Sequence, residues 1–164
     1  MNGFIKANLR AIKIFTILVG HRGMALNRWY MTPEIPIPIV TPRLIMRPLQ
    51  SGDGQAVLQY KKECWDEILP WGVWAHHPHI ETRRVEDDEA FCAMKYDMFQ
   101  RGEDITLMVQ DKNTGDMLGA GGLHKCDWDI RLFHLGFQVH SRKTGQGIGT
   151  EIATALTKYA FEAL

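Results

Sequence analysis

Apolar residues change their spacing twice along this chain. Residues 43–49 (Arg-Leu-Ile-Met-Arg-Pro-Leu) read as a first strand, and Pro48 predicts that the strand ends or lies at an edge. Ser51-Gly52-Asp53-Gly54 is turn and helix-start chemistry, and it predicts a helix over 55–64 with Ala56, Val57 and Tyr60 on one face. Residues 65–79 are aromatic and irregular. A long helix is predicted over 82–101, with Gly102 as its stop. Its early acids, 86–89, read as a solvated start that favours the helix dipole, and Phe91, Met94 and Met98 read as its core face. The period then shortens to two. Strands are predicted over 105–110, 117–126 and 131–139, joined by turns at 111–116 and 127–129. A last helix is predicted over 150–164.

The ends of the chain read differently. Lys6 and Arg10 precede an apolar run, 14–19, that faintly imitates a secretory signal, but Lys13 interrupts the approach and His21-Arg22-Gly23 is no small-residue cleavage site. The run is too short to span a bilayer. A second methionine, Met24, follows, so residues 1–23 read as a non-functional extension, forming at most a short, loosely packed helix. Pro33, Pro36 and Pro38 make a stiff lead-in. The organisation expected is therefore an extension and lead-in over 1–40 and one domain over 41–164. A helix such as the last should hand over to another strand, so a truncated C-terminus is expected.

Composition narrows the function classes. The 164 residues are 45% hydrophobic and 23% charged with no net charge, which is ordinary for a globular domain. No global field steers such a chain to nucleic acid or an anionic membrane. Cys64, Cys92 and Cys126 are odd in number and sparse, which argues against a disulfide framework and fits a reducing cytoplasm; they read as small buried hydrophobes. His76, His77 and His79 lie in a Pro-broken loop without helical spacing, so no metal is expected there.

The most informative stretch is Arg142-Lys143-Thr144-Gly145-Gln146-Gly147-Ile148-Gly149, set between a predicted strand and a predicted helix. Alternating glycines let the backbone curl and aim successive N–H groups at one point, and the helix adds its unpaired N-terminal donors. With two cations alongside, the loop reads as a cradle for a phosphate-bearing ligand. A dinucleotide fingerprint would need G-x-G-x-x-G near a first parallel strand, and a P-loop would need Gly-Lys-[Ser/Thr] after its glycines. Neither pattern is present.

The order of elements, with Arg142-x-x-Gly145-x-Gly147 after the fourth predicted strand, resembles the GNAT acetyltransferase superfamily. Thr41-Pro42-Arg43-Leu44, Arg47-Pro48, Leu69-Pro70-Trp71, Gly122-Leu123-His124 and Leu135-Gly136-Phe137 resemble its ribosomal-protein N-terminal acetyltransferase (RimJ/RimL-like) branch. The resemblance implies an α+β fold, a mixed and mostly antiparallel sheet flanked by helices, here lacking the C-terminal strands. It implies acetyl-CoA as donor, with the backbone of Phe137, Gln138 and Val139 pairing to pantetheine. Arg142, Lys143, Thr144, Gly145, Gln146, Gly147, Ile148, Gly149 and Thr150 would surround the pyrophosphate.

The implied reaction is direct attack of a primary amine on the thioester, the acceptor being a protein N-terminus or a small molecule. An α-amine, with a pKa of about 8 against about 10.4 for lysine, loses its proton more readily. His134 stands where the branch often has glutamate and is the expected base. Trp71, Trp74 and His124, with Asp127 beside them, are the expected substrate contacts. The expected partners are the amine substrate, with no nucleic acid and no membrane, and a homo-oligomer is left open. The competing expectation is a truncated, non-catalytic fragment that binds CoA weakly or needs a partner for its missing strands.

Overall fold

The computed structural model describes residues 12–18 as a backbone strand, together with residues 35–70 and 80–164. Among the described residues the strands are β1 (Ile12–Leu18), β2 (Ile39–Val40), β3 (Leu44–Pro48), β4 (Ile105–Asp111), β5 (Met117–Asp127) and β6 (Leu132–Val139). Four α-helices are α1 (Gly54–Glu63), α2 (Trp65–Ile68), α3 (Val85–Gln100) and α4 (Ile148–Glu162). The strands form one sheet in the order β1-β6-β5-β4-β3-β2, every pairing antiparallel. The α+β expectation holds.

Alternation along each strand sorts the two faces. Leu44 and Met46, Ile105, Leu107 and Val109, Leu123, Phe133 and Leu135 form one core with Ile148, Ile152 and Leu156 of α4. Each α4 anchor stabilises the fold by roughly 1.5–3 kcal/mol through burial. On the opposite face α1 and α3 pack through Val57, Cys92 and Met108. The α4 helix therefore covers one side of β6.

Three expectations are corrected. The segment read as at most a loose helix contains β1, which adds itself to β6 from Ile12↔Gln138 to Leu18↔Leu132. A β6 without this neighbour would expose unpaired N–H and C=O groups, and an apolar run satisfies them as a strand. Second, Met94 is 49% exposed, and the buried stripe of α3 runs instead through Asp88, Cys92 and Phe99.

Third, the acidic start of α3 is not uniformly solvated. Asp88 is fully buried between Arg83, which donates two bonds of 2.8 Å, and Lys61. Burial opposes its ionisation, but the bonds from Arg83 and Lys61 hold its pKa below the ordinary value. Glu89 accepts from the backbone N–H groups of Gly52 and Gly54, so it satisfies donors at the start of α1 that Asp53 leaves free. Asp53 is turned to Arg47 and the N–H of Gln50 instead.

Candidate active site

The glycine loop starts where β6 stops. His140 caps a short 3-10 turn, Ser141–Lys143, and Thr144 closes it by donating its N–H and its hydroxyl to the carbonyl of Ser141 at 3.2 and 2.9 Å. Gly145 (φ +76°) and Gly147 (φ +77°) then both adopt the left-handed conformation. An added Cβ would meet nothing within 4 Å at Gly145, and only Arg43 Nη2 at 3.5 Å at Gly147. The backbone angle, not crowding, requires glycine there. Gly149 differs, because a Cβ would lie 3.1 Å from the Phe137 ring and push α4 from β6.

The consequence is an array of donors. Gly145, Gln146, Gly147 and Thr150 are exposed, and Gly147 is the N-cap residue of α4. Among the described residues, the N–H groups from Gly145 to Thr150 find no protein acceptor of normal geometry. They are the orphan donors of a helix start, where the dipole also favours an anion.

A polar staple, missed by sequence reasoning, holds this array in place. Arg43 donates from Nε to Glu151 Oε2 at 2.6 Å, from its N–H to Oε1 at 3.1 Å, and from Nη1 to the carbonyl of Gln146 at 2.9 Å. Thr41 Oγ1 adds a bond of 2.6 Å to Glu151 Oε1. Burial opposes ionisation of Glu151, yet the bonds from Thr41 and Arg43 hold its pKa below the ordinary value. Arg43 thereby pairs the carboxylate in the first turn of α4. The only sequence signal was the Thr41-Pro42-Arg43 stretch itself, whose role its neighbours do not disclose.

The two cations are placed unequally. Arg142 is largely exposed and turns toward Glu63 of α1, Nη1 to Oε2 at 3.2 Å. His140 Nε2 meets the same oxygen at 3.0 Å. Arg142 and Lys143 border a cavity of about 450 Å³ that also touches Tyr60, Glu63 and Asp116. Of the backbone expected to pair with pantetheine, Phe137 and Gln138 already face Lys13 and Ile12 of β1, and Val139 lies just past that pairing.

A second polar cluster lies toward the other end of the sheet. His124 on β5 and His134 on β6 are cross-strand partners. His124 Nδ1 lies 3.0 Å from Asp104 Oδ2, and the ring of His134 takes no hydrogen bond among the described residues. Asp127 is occupied locally, accepting from the N–H groups of Asp129 and Ile130 at 3.0 and 3.3 Å. Trp71, Trp74, His76, His77 and His79 lie outside the described residues. Among the described residues no group of three potential metal ligands gathers, and no helix is long and apolar enough to cross a membrane. The cysteines are free; burial raises the Cys92 thiol to about 11 and the Cys126 thiol to about 12, so neither is a ready nucleophile.

Comparison with known proteins identifies the family and the fold. Residues 43–164 match the model of the family described as acetyltransferase (GNAT) domain. Solved structures share the fold. One is the ribosomal-protein-S5-alanine acetyltransferase of Vibrio fischeri, at 16% identity and a TM-score of 0.64, covering 78% of this chain and 69% of that one. Another is an apo form of RimL, the ribosomal L7/L12 alpha-N-protein acetyltransferase, at 18% identity and a TM-score of 0.61, covering 84% and 69%. A third is an acetyltransferase of Agrobacterium tumefaciens, at 24% identity and a TM-score of 0.54, covering 84% and 73%. No curated protein matches the sequence significantly.

Proposed function

This chain belongs to the acetyltransferase (GNAT) family, and on that premise we propose that it transfers an acetyl group from acetyl-CoA to a primary amine, a protein N-terminal α-amine being the preferred acceptor. One observation carries the reading. Two left-handed glycines turn the free amides of residues 145–150 outward at the start of α4, which is the geometry that grips a diphosphate. In this reading the backbone of Phe137, Gln138 and Val139 follows the pantetheine arm. Lys143 and Arg142 add charge to the phosphate site, with Thr144, Gln146, Ile148 and Thr150 around it. Acetyl-CoA supplies the activated acyl carbon; the chain orients it and receives the amine's proton.

The α-amine preference rests on chemistry and on likeness. An amine with a pKa of about 8 is neutral more often near pH 7 than a lysine side chain at about 10.4. Two of the structures sharing the fold are described as acetylating the alanine of ribosomal protein S5 and the α-amine of L7/L12. Three free thiols support a reducing compartment such as the cytoplasm.

A second reading is favoured by one feature. Because β1 occupies the β6 edge at Phe137 and Gln138, a chain in this state binds CoA weakly and transfers nothing by itself. Calorimetry with acetyl-CoA, followed by thiol release over a panel of N-terminal peptides and small amines, separates the two. The catalytic reading expects saturable binding, lost in Gly145→Val and Gly147→Val, and turnover of at least one α-amine. Binding without turnover supports the second reading, and absence of binding removes both.

A further inference from the structure

Three side chains converge on one carboxylate away from the glycine loop. Asp104, just before β4 and 7% exposed, accepts from Thr106 Oγ1, meets His124 Nδ1 at 3.0 Å and meets Lys95 Nζ of α3 at 3.2 Å. Burial disfavours its charge, yet the bonds from His124 and Thr106, with Lys95 nearby, hold its pKa at about 2. An ionised carboxylate only accepts, so Nδ1 of His124 carries the proton and Nε2 presents its lone pair.

The free nitrogen also points to a useful place. The His124 ring lies over Gly136, since a Cβ built there would come within 3.2 Å of Cδ2 and 3.3 Å of Nε2. Gly136 in turn pairs with Gly122, and it is the missing side chain at Gly136 that lets the ring lie against β6. Gly136 immediately precedes the 137–139 backbone assigned to pantetheine. With β1 displaced from the β6 edge, an acyl group extending from that arm past Gly136 would come alongside the His124 ring.

Resting on the acetyltransferase reading above, we propose that His124 is the catalytic base and Asp104 its positioning residue. As the amine nitrogen bonds to the acetyl carbon, its proton passes to Nε2. The C–S bond then breaks with its electron pair on sulfur, and the imidazolium returns the proton to that sulfur. An amide and a free thiol result, and no further reactant is consumed. His134, the base expected from the sequence, takes no side-chain hydrogen bond among the described residues and pairs across the strands with His124.

The test uses the full chain, acetyl-CoA and the best amine from the peptide panel, between about pH 5 and 9. The groups facing His124 are Asp104 ahead of β4, Lys95 of α3 through it, and His134 of β6. His124→Gln should lower kcat by about a hundredfold or more while the Kd for acetyl-CoA stays within about twofold. Free imidazole should restore part of the activity of His124→Ala. Asp104→Asn should lower kcat, and His134→Gln should keep the acid limb of the pH profile that His124→Gln loses. Nitrogen-15 spectra of the native chain should show His124 protonated at Nδ1, a readout that survives if Asp104→Asn fails to fold.

The proposal is overturned if folded His124→Gln keeps kcat within about threefold of native. Loss of the acid limb in His134→Gln but not in His124→Gln, or an Nε2-protonated His124, overturns it equally. A native chain that binds acetyl-CoA but acetylates no amine does so too. Failure of the parent reading looks different, because the native chain then gives no calorimetric signal with acetyl-CoA.

Discussion

Arg43 and Glu151, 108 residues apart, are joined by two hydrogen bonds that tie the entry of β3 to the first turn of α4. The pair adjoins the loop proposed to bind the donor, and the carbonyl of Gln146 is held by the same guanidinium. Its work is to fix where the loop amides point. Arg43→Ala should therefore weaken acetyl-CoA binding about fivefold while costing only about 1 kcal/mol of stability, because the guanidinium is half exposed. Calorimetry beside urea unfolding checks the ratio of the two effects.

Gly147→Ala tests the backbone angle alone, since a methyl group there meets no atom closer than 3.5 Å. A left-handed alanine should cost about 1 kcal/mol and loosen donor binding by turning the amides aside. Gly149→Ala should instead disturb packing against Phe137 and lower the melting temperature more than it lowers affinity. Thermal scans with and without acetyl-CoA distinguish the two patterns.

Asp104 carries a pH signature. Its folded pKa, about 2, lies below the ordinary 3.8, so its contribution is present above about pH 4 and is lost as pH falls toward 2. The contribution is about 2 kcal/mol. Urea midpoints measured across this range should fall for the native chain, and Asp104→Asn should be less stable near neutrality with a flatter acid limb.

If the 137–139 backbone follows the donor's pantetheine arm as proposed, β1 is its competitor, because Phe137 and Gln138 cannot pair outward with both. The variants Ile12→Pro, Lys13→Pro and Ile14→Pro remove N–H groups on both sides of the edge strand, so at least one should release it. Affinity for acetyl-CoA should then rise about threefold or more, as a binding-competent edge becomes better populated, while the melting temperature falls. Unchanged or weaker binding would place β1 within the site rather than across it.

Asp88 should be the least replaceable acid in the chain. Asp88→Ala leaves Lys61 and Arg83 facing a buried gap and should cost about 3–5 kcal/mol. Glu86→Ala, at an exposed position two residues earlier, should cost nearly nothing. Chemical unfolding of the two variants makes the comparison directly.

How much of this was legible beforehand follows from the range of each interaction. The β4–β5–β6 meander, the hairpin at Gly115 and the curl at Gly145 and Gly147 were readable because alternation and left-handed turns are written in adjacent residues. α3 was readable as a helix but not in phase. Its buried stripe holds Asp88, whose partners come from α1 and from the turn before α3, so hydrophobicity alone pointed to Met94.

Local pattern thus determined the elements, their order and the anion-ready loop. Only the closed sheet decided that Glu151 meets Arg43, that Asp104 orients His124, and that β1 lies along β6. Those pairings depend on burial and loop closure summed over the whole domain, and a single stretch of chain carries no record of them.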